Sequence, residues 1–213
     1  MSDREEVAQR EPLTSLAGFP AYDLMADEPL HRAHHHASGP WWFSSTGGRF
    51  DLPTPHGTCY LANNPLAALR ERLGPVLAQR TSIPASLLEE SVVSRLRVPR
   101  THRLADLQAS TASEFGVTRE LETMVPYAVP QAWARALHSA GLQGVRYGPR
   151  FSTGPTSSYA VFGAAGAAPA GAAFWRPDPQ PVPADEVPGA PVPLAVPRRW
   201  DVTVVRPPRT RTR

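Results

Sequence analysis

Arg49, Tyr60 and Glu71 are residue types that could act together on a phosphorylated sugar carrying a cationic ring. Arg49 follows a run of large aromatics and a Gly-rich turn, Gly39-Pro40-Trp41-Trp42-Phe43-Ser44-Ser45-Thr46-Gly47-Gly48. Arg offers a planar fork to phosphate oxygens, and glycine lets the backbone come close to a ligand. Arg49 could equally pair with Asp51 or another acid. Tyr60 lies in the β-branched and aromatic run Thr58-Cys59-Tyr60-Leu61-Ala62. Period-2 alternation puts Thr58 and Tyr60 on one face and Cys59 and Leu61 on the other. An aromatic plane beside a carboxylate suits a planar cationic ring, although a strand tyrosine is more often a core residue with its hydroxyl tied to the backbone.

The elements around these residues can be read from local signals. Thr58 to Ala62 reads as a strand between the turns at 53–57 and 63–65, and it runs directly into a helix. Asn64 is a good N-cap and Pro65 suits the first helical position, where its missing N–H costs nothing. Leu66, Leu69, Leu73, Val76 and Leu77 then form one apolar stripe, with Gly74-Pro75 a possible kink or division. At 100° per residue Glu71 falls opposite that stripe. Its neighbours Ala67, Gly74, Pro75 and Ala78 are compact, which favours close approach by another element or a ligand over a solvated face; both readings stay open.

Further strands are expected at Ser91 to Val98, Arg103 to Leu107, Gly144 to Tyr147 and Ser158 to Phe162, and a helix at Val129 to Ala140 with Trp133 in the core. The elements mix without a strict βαβ rhythm, and there is no GxGxxG or Walker loop. An α+β fold with a mixed, largely antiparallel sheet and flanking helices is the expectation. The domain plan has a flexible N-terminal arm (1–20), a folded body (21–163), a Pro/Ala/Gly-rich segment (164–197) and a C-terminal strand at Trp200 to Val205 with an Arg-rich tail (198–213). Nine of the 25 prolines fall between Ala164 and Pro197, which rules out a regular helix or central strand there.

Composition narrows the function classes. The 213 residues contain no lysine, and six arginines against one acid in the last sixteen residues exceed the whole formal net charge of +3. The body is therefore slightly acidic, and no basic face for nucleic acid is expected. Cys59 is the only cysteine, which excludes an internal disulfide and argues against a thiolate metal site. His31, His34, His35 and His36 lack the partners of a metal motif, so no metal is expected. The polar N-terminus and the absence of a long apolar run point to a cytoplasmic protein without a membrane span.

Taken together, these segments resemble the RES-domain family, named for an Arg, a Glu and a Ser. The similarity runs from about Leu30 to Gly163 through Leu30-His31-Arg32, Gly48-Arg49-Phe50, Gly57 to Ala62 and Ala68-Leu69-Arg70-Glu71. It continues through Gln131-Ala132-Trp133-Ala134, Gly144 to Arg150 and Tyr159 to Phe162. The resemblance implies a fold like that of ADP-ribosyltransferases and a toxin that consumes NAD by phosphorolysis or hydrolysis, held in check by a cognate antitoxin. NAD would be substrate rather than cofactor, with inorganic phosphate a possible co-substrate. It implies that Arg32 and Arg49 contact the NAD phosphates, Tyr60 packs against nicotinamide, and Glu71 supports the ribosyl cation. The family serine aligns with Pro149, which has no hydroxyl; Ser152 is the expected replacement, with Ser157 or Ser158 as alternatives. Two other functions stay open: ADP-ribosyl transfer to a macromolecule, and a non-catalytic nucleotide-binding or interaction module.

Overall fold

The structure is a computed structural model and describes residues 8–12, 15–45, 47–78, 83–98, 100–168 and 180–191. The strands are β1 (Ala21–Leu24), β2 (Pro29–His35), β3 (Trp42–Phe43), β4 (His56–Ala62), β5 (Ser91–Arg97), β6 (His102–Asp106), β7 (Gly144–Tyr147), β8 (Ser158–Ala164), β9 (Gly166–Ala167) and β10 (Val182–Pro183). The helices are α1 (Pro65–Leu77), α2 (Ala85–Glu89) and α3 (Ala128–Ser139). Eight strands form one sheet in the order β1-β6-β7-β8-β4-β2-β5-β10, and β3 pairs with β9 apart from it. Among the described residues only the β6–β7 pair is parallel in the large sheet, so the α+β, largely antiparallel expectation holds.

Alternation along the strands builds a core on each face of the sheet. Val145, Tyr147 and Ala160 join Phe50, Leu52 and the α3 side chains Trp133, Ala134 and Leu137 on one face. Cys59, Leu61, Tyr159 and Val161 join Leu24, Leu30, Phe43 and Leu96 on the other. Tyr60 packs against the first core, as its phase in β4 requires. Trp133 is 1% exposed, and truncating such a side chain to alanine costs about 3–5 kcal/mol.

Helix ends follow their local chemistry. The Asn64 Oδ1 accepts from Leu66 N at 2.9 Å and Ala67 N at 3.2 Å, and Pro65 opens α1. Leu69 and Leu73 pack with Leu88 and Val93 in a third cluster. Pro75 does not divide α1, which continues to Leu77. In the last turn the proline removes a single bond, the one its N–H would have made to the Glu71 carbonyl. At the end of α3, Gly141 takes φ 87°, so that Gly141 N reaches the His138 carbonyl at 3.0 Å and Leu142 N the Leu137 carbonyl at 3.1 Å.

Two parts of the domain plan are corrected. The described residues of the first twenty are packed rather than free: Leu16 and Phe19 join the α3 core. Gln9 accepts from Thr118 N at 2.7 Å, and Arg10 O accepts from the Trp133 indole at 2.7 Å. Two buried apolar side chains at the ends of one turn fix the segment where polar composition alone suggested a loose arm. The segment beyond residue 163 is also partly built into the fold. β10 pairs with β5 at the sheet edge, where a proline is tolerated, and Ala184 and Val187 complete the third cluster. The strand expected at Trp200 to Val205 and the Arg-rich tail lie outside the described residues.

Candidate active site

The turn leading to Arg49 is organised by a carboxylate. Asp51 is 2% exposed. Its Oδ2 accepts from Ser44 Oγ at 2.6 Å, Gly47 N at 2.9 Å and Gly48 N at 2.7 Å, while its Oδ1 accepts from the Tyr60 hydroxyl at 2.7 Å. The same hydroxyl accepts from Phe50 N at 2.9 Å. From α3, Gln131 Nε2 donates to Gly48 O at 3.0 Å. A Cβ at Gly48 would collide with Asp51 Oδ1 and the Tyr60 hydroxyl, so only glycine fits there.

Asp51 therefore serves the turn rather than Arg49. Arg49 is 7% exposed, its Cζ stands 5.5 Å from the Tyr127 ring centroid, and its Nε is buried with no hydrogen-bond partner among the described residues. A buried guanidinium with an unmade bond is costly in isolation. Such a group is one that an incoming anion would complete.

Glu71 does face away from the apolar side of α1. Its Oε1 accepts from Phe151 N at 2.7 Å, so the loop after β7 closes over this part of the helix. The compact neighbours on α1 explain how: a Cβ on Gly74 would strike the Phe151 ring. Burial pushes the Glu71 carboxyl above the ordinary glutamate value, while the Phe151 amide and the Arg49 charge oppose the rise. Burial also holds the Tyr60 phenol well above its usual value, which keeps the proton it donates to Asp51.

A cavity of about 360 Å³ collects these groups. Arg32 and Ala33 from β2, Arg49 from the turn, Tyr60 from β4, Glu71 and Arg72 from α1, Tyr127, Tyr147, Phe151 and Ser158 all line it. Arg32 is anchored by bonds from its Nη1 to Pro40 O at 2.8 Å, Trp42 O at 2.7 Å and Cys59 Sγ at 2.8 Å. Arg32, Arg49, Tyr60 and Glu71 are thus brought together from four segments. Ser152 is not: its buried hydroxyl has no partner among the described residues, but it is absent from the cavity lining. Ser157 donates to Gln108 Oε1 at 2.8 Å. Ser158 does line the cavity, opposite Tyr147 in the β7–β8 register, and its buried hydroxyl makes no well-formed hydrogen bond although the Tyr147 phenol is beside it.

Other residues matter here that sequence reading did not mark. Glu122, 2% exposed, accepts from Gly148 N and pairs with Arg119 at 3.0 Å, holding the turn that carries buried Pro149. It sits in a short 3-10 turn with no periodic pattern to flag it. Tyr147 shares the core face of Val145, and its alternation could have found it. His34 bonds Ser94 Oγ at 2.8 Å and His35 pairs with Glu90 at 3.5 Å. Among the described residues no group of three or more His, Cys, Asp or Glu side chains is placed to hold a metal ion, and no helix is long and apolar enough to cross a membrane.

A largely antiparallel α+β sheet, opened at one cavity where an Arg from a Gly-rich turn, a Tyr from a strand and a Glu from a helix converge, is the class of protein this chain represents. The chain belongs to the RES-domain family, whose model matches residues 29–185. It is similar to a chain in the crystal structure of the M. tuberculosis MbcT–MbcA toxin–antitoxin complex. The TM-score is 0.54 at 19% identity, over 66% of this chain and 76% of that one. At that identity the likeness speaks for the fold. No curated protein matches this chain.

Proposed function

We propose that this protein is a toxin-like enzyme that breaks the bond between nicotinamide and ribose in NAD. The observation that carries the reading is the pairing of a buried, incompletely bonded Arg49 with a desolvated Glu71 in one cavity beside Tyr60. Arg49 and Arg32 take the phosphates, the Tyr60 ring packs against nicotinamide with its hydroxyl fixed by Asp51, and Glu71 faces the anomeric carbon. As the C–N bond breaks, its electron pair leaves with nicotinamide, which departs neutral. No general acid is needed, and the demand is for stabilisation of the positive charge left on the ribosyl ring. A carboxylate in a poorly hydrated site is well suited to that. Water or phosphate then attacks the same carbon; water loses its proton and phosphate retains the ring as a phosphate ester.

The family serine's place, vacant at Pro149, falls to Ser158, whose hydroxyl at the cavity wall beside the Tyr147 phenol can orient ribose or the incoming nucleophile. Family membership supports a toxin acting in the cytoplasm, and the similar solved chain was crystallised with an antitoxin, which supports a cognate antitoxin as this protein's partner. The test is incubation of the purified protein with NAD, with and without inorganic phosphate, and chromatography of the products. Nicotinamide release is expected, with ADP-ribose in one case or its phosphate ester in the other. An unchanged NAD peak in both would reject the reading.

A further inference from the structure

The first cavity is near the small end of the range that holds drug-sized ligands, which suits one nucleoside unit better than two. A second cavity of about 330 Å³ adjoins it, and Arg32, Ala33 and Arg72 belong to the walls of both. The rest of its wall is His34, His35, Ser38, Gly39 and Trp42, with no carboxylate among them.

Trp42 is 54% exposed, and it is the only aromatic among the exposed large apolar side chains of the described residues. Its mounting is rigid. The backbone pairs with Ala167 in the β3–β9 ladder, and its carbonyl accepts from Arg32 Nη1 at 2.7 Å. Phe43 next to it is buried in the core, and a Cβ on Gly163 would meet the Phe43 ring at 2.6 Å. The fold thus anchors the strand by one aromatic and leaves the other open at a cavity mouth. An exposed indole on a fixed backbone is a stacking platform for a planar base.

The junction between the cavities has the complementary charge. Arg72 Nε donates to Ser91 Oγ at 2.7 Å, and Arg32 is tied to the Pro40 and Trp42 carbonyls, so both guanidiniums are positioned. Burial and the Arg32 charge both work against the Arg72 cation. Glu90, the acid acting on Arg72, lies outside the lining and pairs with His35. A polyanion placed between the two arginines would relieve their repulsion.

Resting on the reading of NAD as substrate, we infer that the second cavity is the purine-nucleotide subsite of the same site. The diphosphate runs from Arg49 past Arg32 to Arg72 at the junction, and adenine stacks on Trp42. Trp42 thereby sets the preference for a dinucleotide over nicotinamide mononucleotide, which has no adenylate.

ADP is the probe, because it carries the base and diphosphate but no bond to cleave. Titrated into the full chain by calorimetry and tryptophan fluorescence, ADP should bind wild type. Trp42→Ala should bind it about tenfold or more weakly, and Trp42→Phe should recover most of the affinity. Trp42→Ala should also raise KM for NAD with a far smaller effect on kcat, and leave cleavage of nicotinamide mononucleotide little changed. The side chain is exposed, so the variant keeps the fold, and an unchanged melting curve checks it. Equal ADP affinity in wild type and Trp42→Ala overturns the inference, as does failure of wild type to bind ADP. Cleavage of NAD with a KM indifferent to Trp42 would remove the subsite and keep the activity. Trp42-dependent ADP binding without nicotinamide release would do the reverse.

Discussion

Burial gives Glu71 a raised carboxyl affinity for its proton, and the account requires the ionised form. The acid limb of kcat should therefore fall above the ordinary glutamate value of about 4.3, with activity increasing as pH rises through the shifted value. Glu71→Gln should lower kcat by about 10²–10³, the magnitude typical of losing one electrostatic contact to the transition state, and should abolish that limb. Stability should move the other way. A raised folded-state value means the fold disfavours the charged form. Wild type should thus lose stability relative to Glu71→Gln as pH rises from the unfolded value through the folded one, and the two should converge below that window. Urea denaturation at several pH values measures the difference. Tyr60→Phe removes a hydroxyl that donates to Asp51 and accepts from Phe50 N, leaving both buried partners short. A loss of about 1–3 kcal/mol is expected, seen as a fall of several degrees in Tm.

At the scale of elements, α1 and the loop after β7 act as a pair. Glu71 holds the Phe151 amide, and Gly74 makes room for the Phe151 ring. Gly74→Ala would gain about 1 kcal/mol in helix propensity, but the ring must move and overpacking costs about 1–3 kcal/mol. The clash wins, so turnover and Tm should both fall. If Tm rises with activity intact, the loop does not pack as described. Asn64→Ala removes only the cap, costing about 1 kcal/mol and roughly 2–4 °C in Tm, with turnover nearly preserved. These elements were legible because their signals are local: the Asn64-Pro65 start, the alternation of β4 and the apolar stripe of α1. The Phe151 contact was foreshadowed only by the compact side chains around Glu71, since sequence names no partner for a small-residue face.

For the whole molecule, the α+β class, the strands β4 to β8 and the helices α1 and α3 could be read in advance from patterning, and the resemblance named Arg32, Arg49, Tyr60 and Glu71, which line one cavity; β1, β2, β3, β9, β10 and α2 carried no such local signal. What could not be read was tertiary. Gln9 and Leu16 dock through contacts more than a hundred residues away, and β10 pairs across a proline-rich segment. Ser158 rather than Ser152 faces the cavity because β8 register decides it, and local spacing carries no register. At this scale the account predicts that expression in a bacterial host lowers cellular NAD and arrests growth, and that Glu71→Gln relieves both.

The most direct measurement is nicotinamide release from NAD by purified wild type and Glu71→Gln side by side, at saturating NAD and with equal folded protein verified by circular dichroism. The account predicts steady release by wild type and a loss of about a hundredfold or more in the variant. Equal release from both proteins, or none from wild type, would contradict it.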